Sequence, residues 1–285
     1  LKTALEKYPA ADANKDGLLT LAEARAFKKR QLLAARDLPE GFTRVEMSVD
    51  GVAREFLVYA PPSAKQEPTP VVFAFHGRSG SGANIVRKYS FQRHWPAAIS
   101  VYMQGLNKPG RLTDHEDKKS GWQNKPGDQN DRDLKFFDAV VKQLKADYEV
   151  DEKRIYSTGH SAGGAFTYLL WAARGDVLAA VAPSASAASA PAHSSSLLAM
   201  MKPKPAMHIA GEADPLVKYK WQATAMTAVR KLNGCAPEGK PWHKEPKCLI
   251  YESETGMPFV SVIHPGGYRF FADAPALIVK FFQEH

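Results

Sequence analysis

Hydrophobic and polar positions change their period several times along the chain, and each change predicts an element. Residues 43–49 and 53–60 alternate apolar with polar around Asp50-Gly51, which predicts a hairpin of two antiparallel strands. After a Pro-rich break at 61–70, residues 71–75 (VVFAF) form a continuous apolar run of buried-strand type that ends in His76-Gly77-Arg78. A second such run spans 98–103. Between them and the next apolar stretch, residues 106–132 are polar, with Pro, Gly, mixed charge and one Trp122. A loop this long inside a compact domain is usually functional, so Trp122 is either a substrate wall or a loop anchor. Leu134, Phe137, Val140, Val141 and Leu144 follow helical spacing and predict a helix over 131–148. Further strands are expected at 179–182, 206–210, 249–252 and 259–263, with a closing helix at 274–282. Strands alternating with helices predict an α/β domain whose mostly parallel central sheet is covered by helices on both faces.

The first forty residues have a different character. Residues 12–23 read DANKDGLLTLAE and match D-x-[DN]-x-[DN]-G-x₅-E at every fixed position. This resembles an EF-hand calcium loop. The pattern would present Asp12, Asn14 and Asp16 side-chain oxygens, the Leu18 carbonyl, a water-mediated contact at Thr20 and a bidentate Glu23, with Gly17 making the turn. Helix-compatible residues 1–8 and 21–36 flank it. Two domains are therefore expected, a helix-loop-helix over 1–37 and an α/β domain over 38–285, with one structural Ca²⁺ in the first. The alternative is an acidic loop that merely caps a helix.

Composition adds less. A chain of 285 residues, 44% hydrophobic, is long enough to bury a large core. The net charge of +8 is uneven, with nine Lys/Arg against four Asp/Glu between residues 202 and 247. No nucleic-acid motif accompanies it, so a solvated basic face is the expectation and a nucleic-acid partner is not. No apolar run reaches transmembrane length, which argues against a membrane partner too. Cys235 and Cys248 are the only cysteines and lack metal-ligand spacing. They are expected to close a surface loop as a disulfide, which would place the chain in an oxidising compartment, secreted or periplasmic. Leu1 in place of Met fits a removed export signal.

The chemistry centres on Arg154 to Ala165, a β-rich run that breaks at glycine and continues into helix formers. Gly159-His160-Ser161-Ala162-Gly163 fits G-x-S-x-G, in which a serine sits on a strained strand-to-helix turn and the glycines avoid collisions between strand and helix. A serine nucleophile needs a base and an orienting acid, each placed after a strand. His264 follows the 259–263 strand directly, unlike His193, His208, His243 and His285. Asp214 follows 206–210 in the same way, with Glu212 as runner-up. The backbone N–H of Ala162 and that of Arg78 are the candidate oxyanion donors, and His160 and Trp122 the candidate substrate contacts.

The 71–78 strand and turn, the Asp131-Arg132-Asp133 helix start, residues 150–164, Gly211-Glu212-Ala213-Asp214 and the cysteine pair together resemble the secreted polyhydroxybutyrate depolymerase and feruloyl esterase group of carbohydrate esterase family 1. The resemblance covers residues 42–285 and implies an α/β-hydrolase fold. It also implies Ser161 as nucleophile, Asp214 as acid and His264 as base. One departure is that the glycines beside the histidine follow it, at Gly266 and Gly267, rather than precede it. The expected activity is ester hydrolysis by a monomer on polymer-linked substrate, with feruloyl or acetyl esters of plant polysaccharide first and a polyester second. A serine peptidase and a non-catalytic calcium-dependent binding protein are the alternatives.

Overall fold

The structure, a computed structural model, describes residues 11–12, 16–25, 27, 38–108, 119–187, 194–243 and 247–285. The chain divides into two units, Leu1–Glu40 and Gly41–His285. In the first, the Asp12 carboxylate accepts the Gly17 N–H at 2.9 Å and Asp16 accepts the Leu18 N–H at 2.8 Å. Gly17 is left-handed at φ 78°, the conformation this turn reserves for glycine. Thr20 and Glu23 cap the helical residues 21–25 reciprocally. The Glu23 N–H donates to the Thr20 hydroxyl at 3.2 Å, and the Glu23 carboxylate accepts the Thr20 N–H at 3.0 Å. Asn14 and the expected entering helix lie outside the described residues.

The second unit opens with the expected hairpin, β1 (Phe42–Val49) paired antiparallel with β2 (Val52–Tyr59). Asp50 and Gly51 both have positive φ, 50° and 77°, the primed turn whose twist matches that of the flanking strands. The strands that follow are β3 (Thr69–Phe75), β4 (Ile99–Met103), β5 (Asn107–Lys108), β6 (Lys119–Ser120), β7 (Val150–His160), β8 (Ala180–Ser184), β9 (Ala206–Gly211), β10 (Lys240–Pro241), β11 (Cys248–Tyr251) and β12 (Phe259–His264). Among the described residues, ten of them form one sheet in the order β1-β2-β4-β3-β7-β8-β9-β12-β11-β10, and β5 pairs with β6. From β4 to β12 neighbouring strands run parallel, so their C-terminal ends share one edge. β3, β4, β8 and β9 are buried along their whole length, as strands covered on both faces must be.

The described helices of this unit are α1 (Gly82–Tyr89), α2 (Phe91–His94), α3 (Arg132–Asp147), α4 (Ala162–Arg174), α5 (Ser194–Met200), α6 (Tyr219–Leu232) and α7 (Ala274–Gln283). The periodicity of α3 and α7 is plain in the sequence. By contrast α1 and α6 have mostly polar outer faces and bury a narrow stripe, Ile85, Val86 and Tyr89 in one and Gln222, Ala225, Met226 and Val229 in the other. Before α3, Gln129, Asn130 and Asp131 all have positive φ. Gln123 holds that approach, its Oε1 accepting the N–H groups of Asp133 and Leu134 and its Nε2 donating to Asp131. Asp133 is fully buried and pairs with buried Arg54 at 2.8 Å.

The expected Cys235–Cys248 disulfide is absent. Cys248 opens β11 opposite Val262, whereas Cys235 bridges Ser253, beyond the far end of that strand. Five residues of extended chain at a rise of about 3.3 Å separate them by roughly 16 Å, against a limit near 7 Å for a bridge. The indication of an oxidising compartment that rested on this bond falls with it. No helix among the described residues is long and apolar enough to cross a membrane.

Candidate active site

Ser161 sits between β7 and α4 with φ 58° and ψ −117°, a region that non-glycine residues occupy only when the surroundings enforce it. Its N–H donates to the Ser184 carbonyl at 2.9 Å, and its own carbonyl accepts the Ala165 N–H at 2.9 Å. The glycines around it are sterically required. A Cβ on Gly159 would lie 2.3 Å from the Gly163 carbonyl carbon, and one on Gly163 would lie 2.0 Å from the Phe75 carbonyl oxygen. Strand, turn and helix therefore cross at backbone contact. Ala162 begins α4, so its N–H belongs to the first-turn donors that a helix cannot satisfy internally.

The turn after β3 packs against this elbow. A Cβ on Gly77 would meet the His160 carbonyl at 3.3 Å and the Ser161 Cβ at 3.5 Å, which brings the chain entering Arg78 alongside the serine. His76 anchors the turn from below. Its Nε2 accepts the Gly105 N–H at 2.9 Å, so Nδ1 carries the proton and donates to the Gly77 carbonyl at 2.7 Å. Burial holds its pKa down to about 4, so the ring stays neutral.

Trp122 serves this anchor rather than a substrate wall. It is 1% exposed, donates its indole N–H to the His76 carbonyl at 2.8 Å, and packs against Phe75 and Phe166. A ring with a buried N–H needs such a partner, and the polar loop around it supplies the tether. The aromatics that pack beside the elbow, on His160, follow the catalytic-histidine candidate instead. Tyr268 and Phe270 flank the His160 ring at 5.0 and 5.7 Å, and the Tyr268 hydroxyl lies 4.0 Å from the point that a Gly77 Cβ would occupy. The signal for them was available in Tyr268-Arg269-Phe270-Phe271, directly after the Gly266-Gly267 turn. His160 also bonds through Nδ1 to the Ser184 hydroxyl at 2.7 Å. Burial, and next Lys88, hold its pKa down to about 4.

His264 and Asp214 arrive from neighbouring strands. His264 ends β12 in register with Gly211 at the end of β9, and the two following turns interlock through Glu212 N–H to His264 carbonyl and Ala213 N–H to Gly266 carbonyl. The His264 ring stacks on Phe271 at 4.6 Å and 7°. Burial lowers its pKa, followed by Lys247, against the raising influence of Asp214 and Glu212. Asp214 is buried and Glu212 exposed, which separates the two acid candidates. One Asp214 oxygen accepts the N–H groups of Leu216 and Val217 at 2.8 and 2.9 Å. Among the described residues no hydrogen bond joins His264 to Ser161 or Asp214. In resting sites such bonds are often long and tighten only around a substrate.

In the N-terminal loop, Asp12 Oδ1 is buried without a hydrogen-bond partner, the kind of oxygen a cation would satisfy. Among the described residues no three His, Cys, Asp or Glu side chains gather as a metal cluster.

A strained serine between strand and helix, with an acid and a histidine at the ends of later parallel strands, defines the α/β-hydrolase class. The chain belongs to the acetyl xylan esterase (AXE1) family, whose model matches residues 19–186. It is similar to feruloyl esterase C of Emericella nidulans, 31% identical over 129 residues, covering 42% of each chain. It is also similar to the putative esterase NocK of Nocardia uniformis, 28% identical over 192 residues, 64% of this chain and 52% of that protein. The chain thus spans about half or less of the length of these relatives. In fold it is similar to the acetyl xylan esterase from Aspergillus awamori, with TM-score 0.61 over 86% of this chain and 99% of that one at 12% identity.

Proposed function

We propose that the chain is a serine carboxylic ester hydrolase that works through an acyl-enzyme. The observation that carries this reading is the Ser161 backbone, held strained against the Gly77-Arg78 turn at the sheet edge where β9 and β12 deliver Asp214 and His264. Ser161 Oγ attacks the ester carbonyl as its proton passes to His264, whose charged form the buried Asp214 carboxylate stabilises. Negative charge on the tetrahedral oxygen falls to the N–H groups of Ala162 and Arg78. His264 then protonates the departing alcohol, and water activated by the same ring releases the acid.

The substrate class follows from the walls. Tyr268 and Phe270 beside His160 supply a short aromatic face for a phenolic acyl group or a sugar ring. We therefore place feruloyl and acetyl esters of plant polysaccharide first, in keeping with the family and relatives above. A polyester would need a broad apolar platform, and the exposed large hydrophobics among the described residues are the scattered Leu18, Leu21, Val52, Met200 and Leu216. A polymer substrate of this kind is met outside the cytoplasm, which supports a secreted or periplasmic protein. The deciding measurement is kcat/KM on methyl ferulate, acetylated xylan and hydroxybutyrate oligomers in parallel. Preference for the last would overturn the substrate class, and turnover surviving Ser161→Ala would overturn the mechanism.

The N-terminal loop is proposed to hold one structural Ca²⁺ through Asp12, Asn14, Asp16, the Leu18 carbonyl, Thr20 and Glu23. Its motivation is the complete loop pattern together with the unpartnered Asp12 oxygen. Calorimetric titration should show one site, and binding should raise stability by about 2.7 kcal/mol at a hundredfold excess over Kd. A melting curve indifferent to both calcium and chelator would refute it.

A further inference from the structure

Behind the sheet edge lie polar side chains that acyl transfer itself does not require. Tyr168 on α4, His208 on β9 and Gln222 on α6 are all buried, and they join end to end with Asp214. Tyr168 Oη lies 2.7 Å from His208 Nδ1, His208 Nε2 lies 3.1 Å from Gln222 Oε1, and Gln222 Nε2 lies 3.3 Å from Asp214 Oδ2. The direction of each bond follows from the chemistry of its ends. Gln222 Nε2 also faces the Val217 carbonyl at 2.7 Å, so it sits between two oxygens that only accept. The amide orientation is thereby set, and Oε1 must be the acceptor facing His208. His208 Nε2 then carries the proton, Nδ1 is bare, and the Tyr168 hydroxyl donates to it. Every hydrogen points toward Asp214.

We propose that Tyr168, His208 and Gln222 form a one-way hydrogen-bond relay that positions the Asp214 carboxylate for His264. The inference rests on the serine hydrolase reading and extends it into the core. Local backbone holds Asp214 Oδ1 through Leu216 and Val217, and the relay holds Oδ2. Val217 ties the two, since its N–H binds Oδ1 while its carbonyl binds Gln222. Burial keeps the His208 pKa near about 4, so the ring remains a neutral link with one donor and one acceptor. These three are positioning residues, acting only through Asp214. A fully satisfied buried network suits this task, because moving any one member leaves another unpaired.

The test uses two variants, Gln222→Met, which keeps the side-chain length and removes both N–H donors, and Tyr168→Phe, which removes one hydroxyl. Steady-state kcat and KM on p-nitrophenyl acetate are measured in the wild-type and Asp214→Ala backgrounds, with thermal unfolding alongside. In the wild-type background each variant should lower kcat about tenfold with little change in KM, the signature of a displaced catalytic geometry. In the Asp214→Ala background neither should cause a further loss. Equal losses in both backgrounds, or an unchanged kcat in both variants, would overturn the relay. Tyr168→Phe gives the same reading if Gln222→Met does not fold. Labelling of Ser161 by a fluorophosphonate, followed by intact mass, separates this from the underlying reading. An unlabelled wild type overturns the hydrolase itself, whereas a labelled wild type together with an unchanged kcat in both variants overturns only the relay.

Discussion

Gly163→Ala is the sharpest single perturbation of the elbow. The added Cβ would lie 2.0 Å from the Phe75 carbonyl oxygen, 2.6 Å from its carbon and 2.9 Å from the His76 carbonyl oxygen, where ordinary contact begins at 3.4 Å. All three are backbone atoms of the β3 end, so no flexible side chain can swing aside. The first turn of α4 must withdraw by about 1 Å or more, and overpacking on this scale costs about 1–3 kcal/mol. Ser161 and Ala162 move with that turn while the Gly77-Arg78 turn stays with β3. The serine and the two proposed oxyanion donors therefore separate, and a displacement near 1 Å in a reacting geometry costs about a hundredfold in rate. Urea unfolding and initial rates on p-nitrophenyl acetate read the two effects. Gly175→Ala is the control, since its Cβ would meet only Trp171 Cδ1 at 3.6 Å and its φ is −55°. That variant should stay within about 0.5 kcal/mol of wild type with unchanged turnover. If Gly163→Ala matched the control in both assays, the close crossing of strand and helix would not be what positions the serine.

Other outcomes are expected elsewhere in the molecule. His264→Ala should lose ester turnover by several orders of magnitude, as Ser161→Ala should. By contrast His243→Ala should not, because His243 lies on the surface against Glu284. The acid limb of kcat/KM should fall below pH 6.5, because the base acts when neutral and the His264 pKa is lowered chiefly by burial. A limb above pH 7 would refute that environment. Stability should fall as pH drops from about 6.5 toward 4, because unfolded histidine takes up a proton that His76 and His208, both held near about 4, refuse. Each contributes up to about 1.4 kcal/mol per pH unit in that window, and a flat urea midpoint from pH 7 to 5 would contradict it. Asp133→Ala leaves the Arg54 guanidinium buried without its carboxylate and should cost about 3–5 kcal/mol in urea unfolding. A loss below about 1 kcal/mol would show that the pair is dispensable.

What the sequence determined by itself is local in origin. Asp50-Gly51 makes its hairpin because two left-handed residues suit strand twist. Thr20 and Glu23 start their helix because each satisfies the other's N–H. Gly159 and Gly163 around Ser161 announce the elbow, because the turn leaves no room for a side chain and that constraint falls on adjacent residues. Chain order and strand-end position then sufficed to bring His264 and Asp214 to the same edge. The tertiary structure decided whatever depends on distance across the fold. Cys235 and Cys248 are close in sequence yet lie at opposite ends of β11, because an intervening strand carries them apart. Trp122 sits in a polar loop yet is buried, because the His76 carbonyl and Phe166 wait for it on other elements. Tyr268 gained its place beside His160, and Gln222 its place behind Asp214, only once β12 and α6 were packed. The Tyr268 ring meets His160 more than a hundred positions away and Gln222 joins His208 to Asp214, so it is packing that assigns both residues these neighbours.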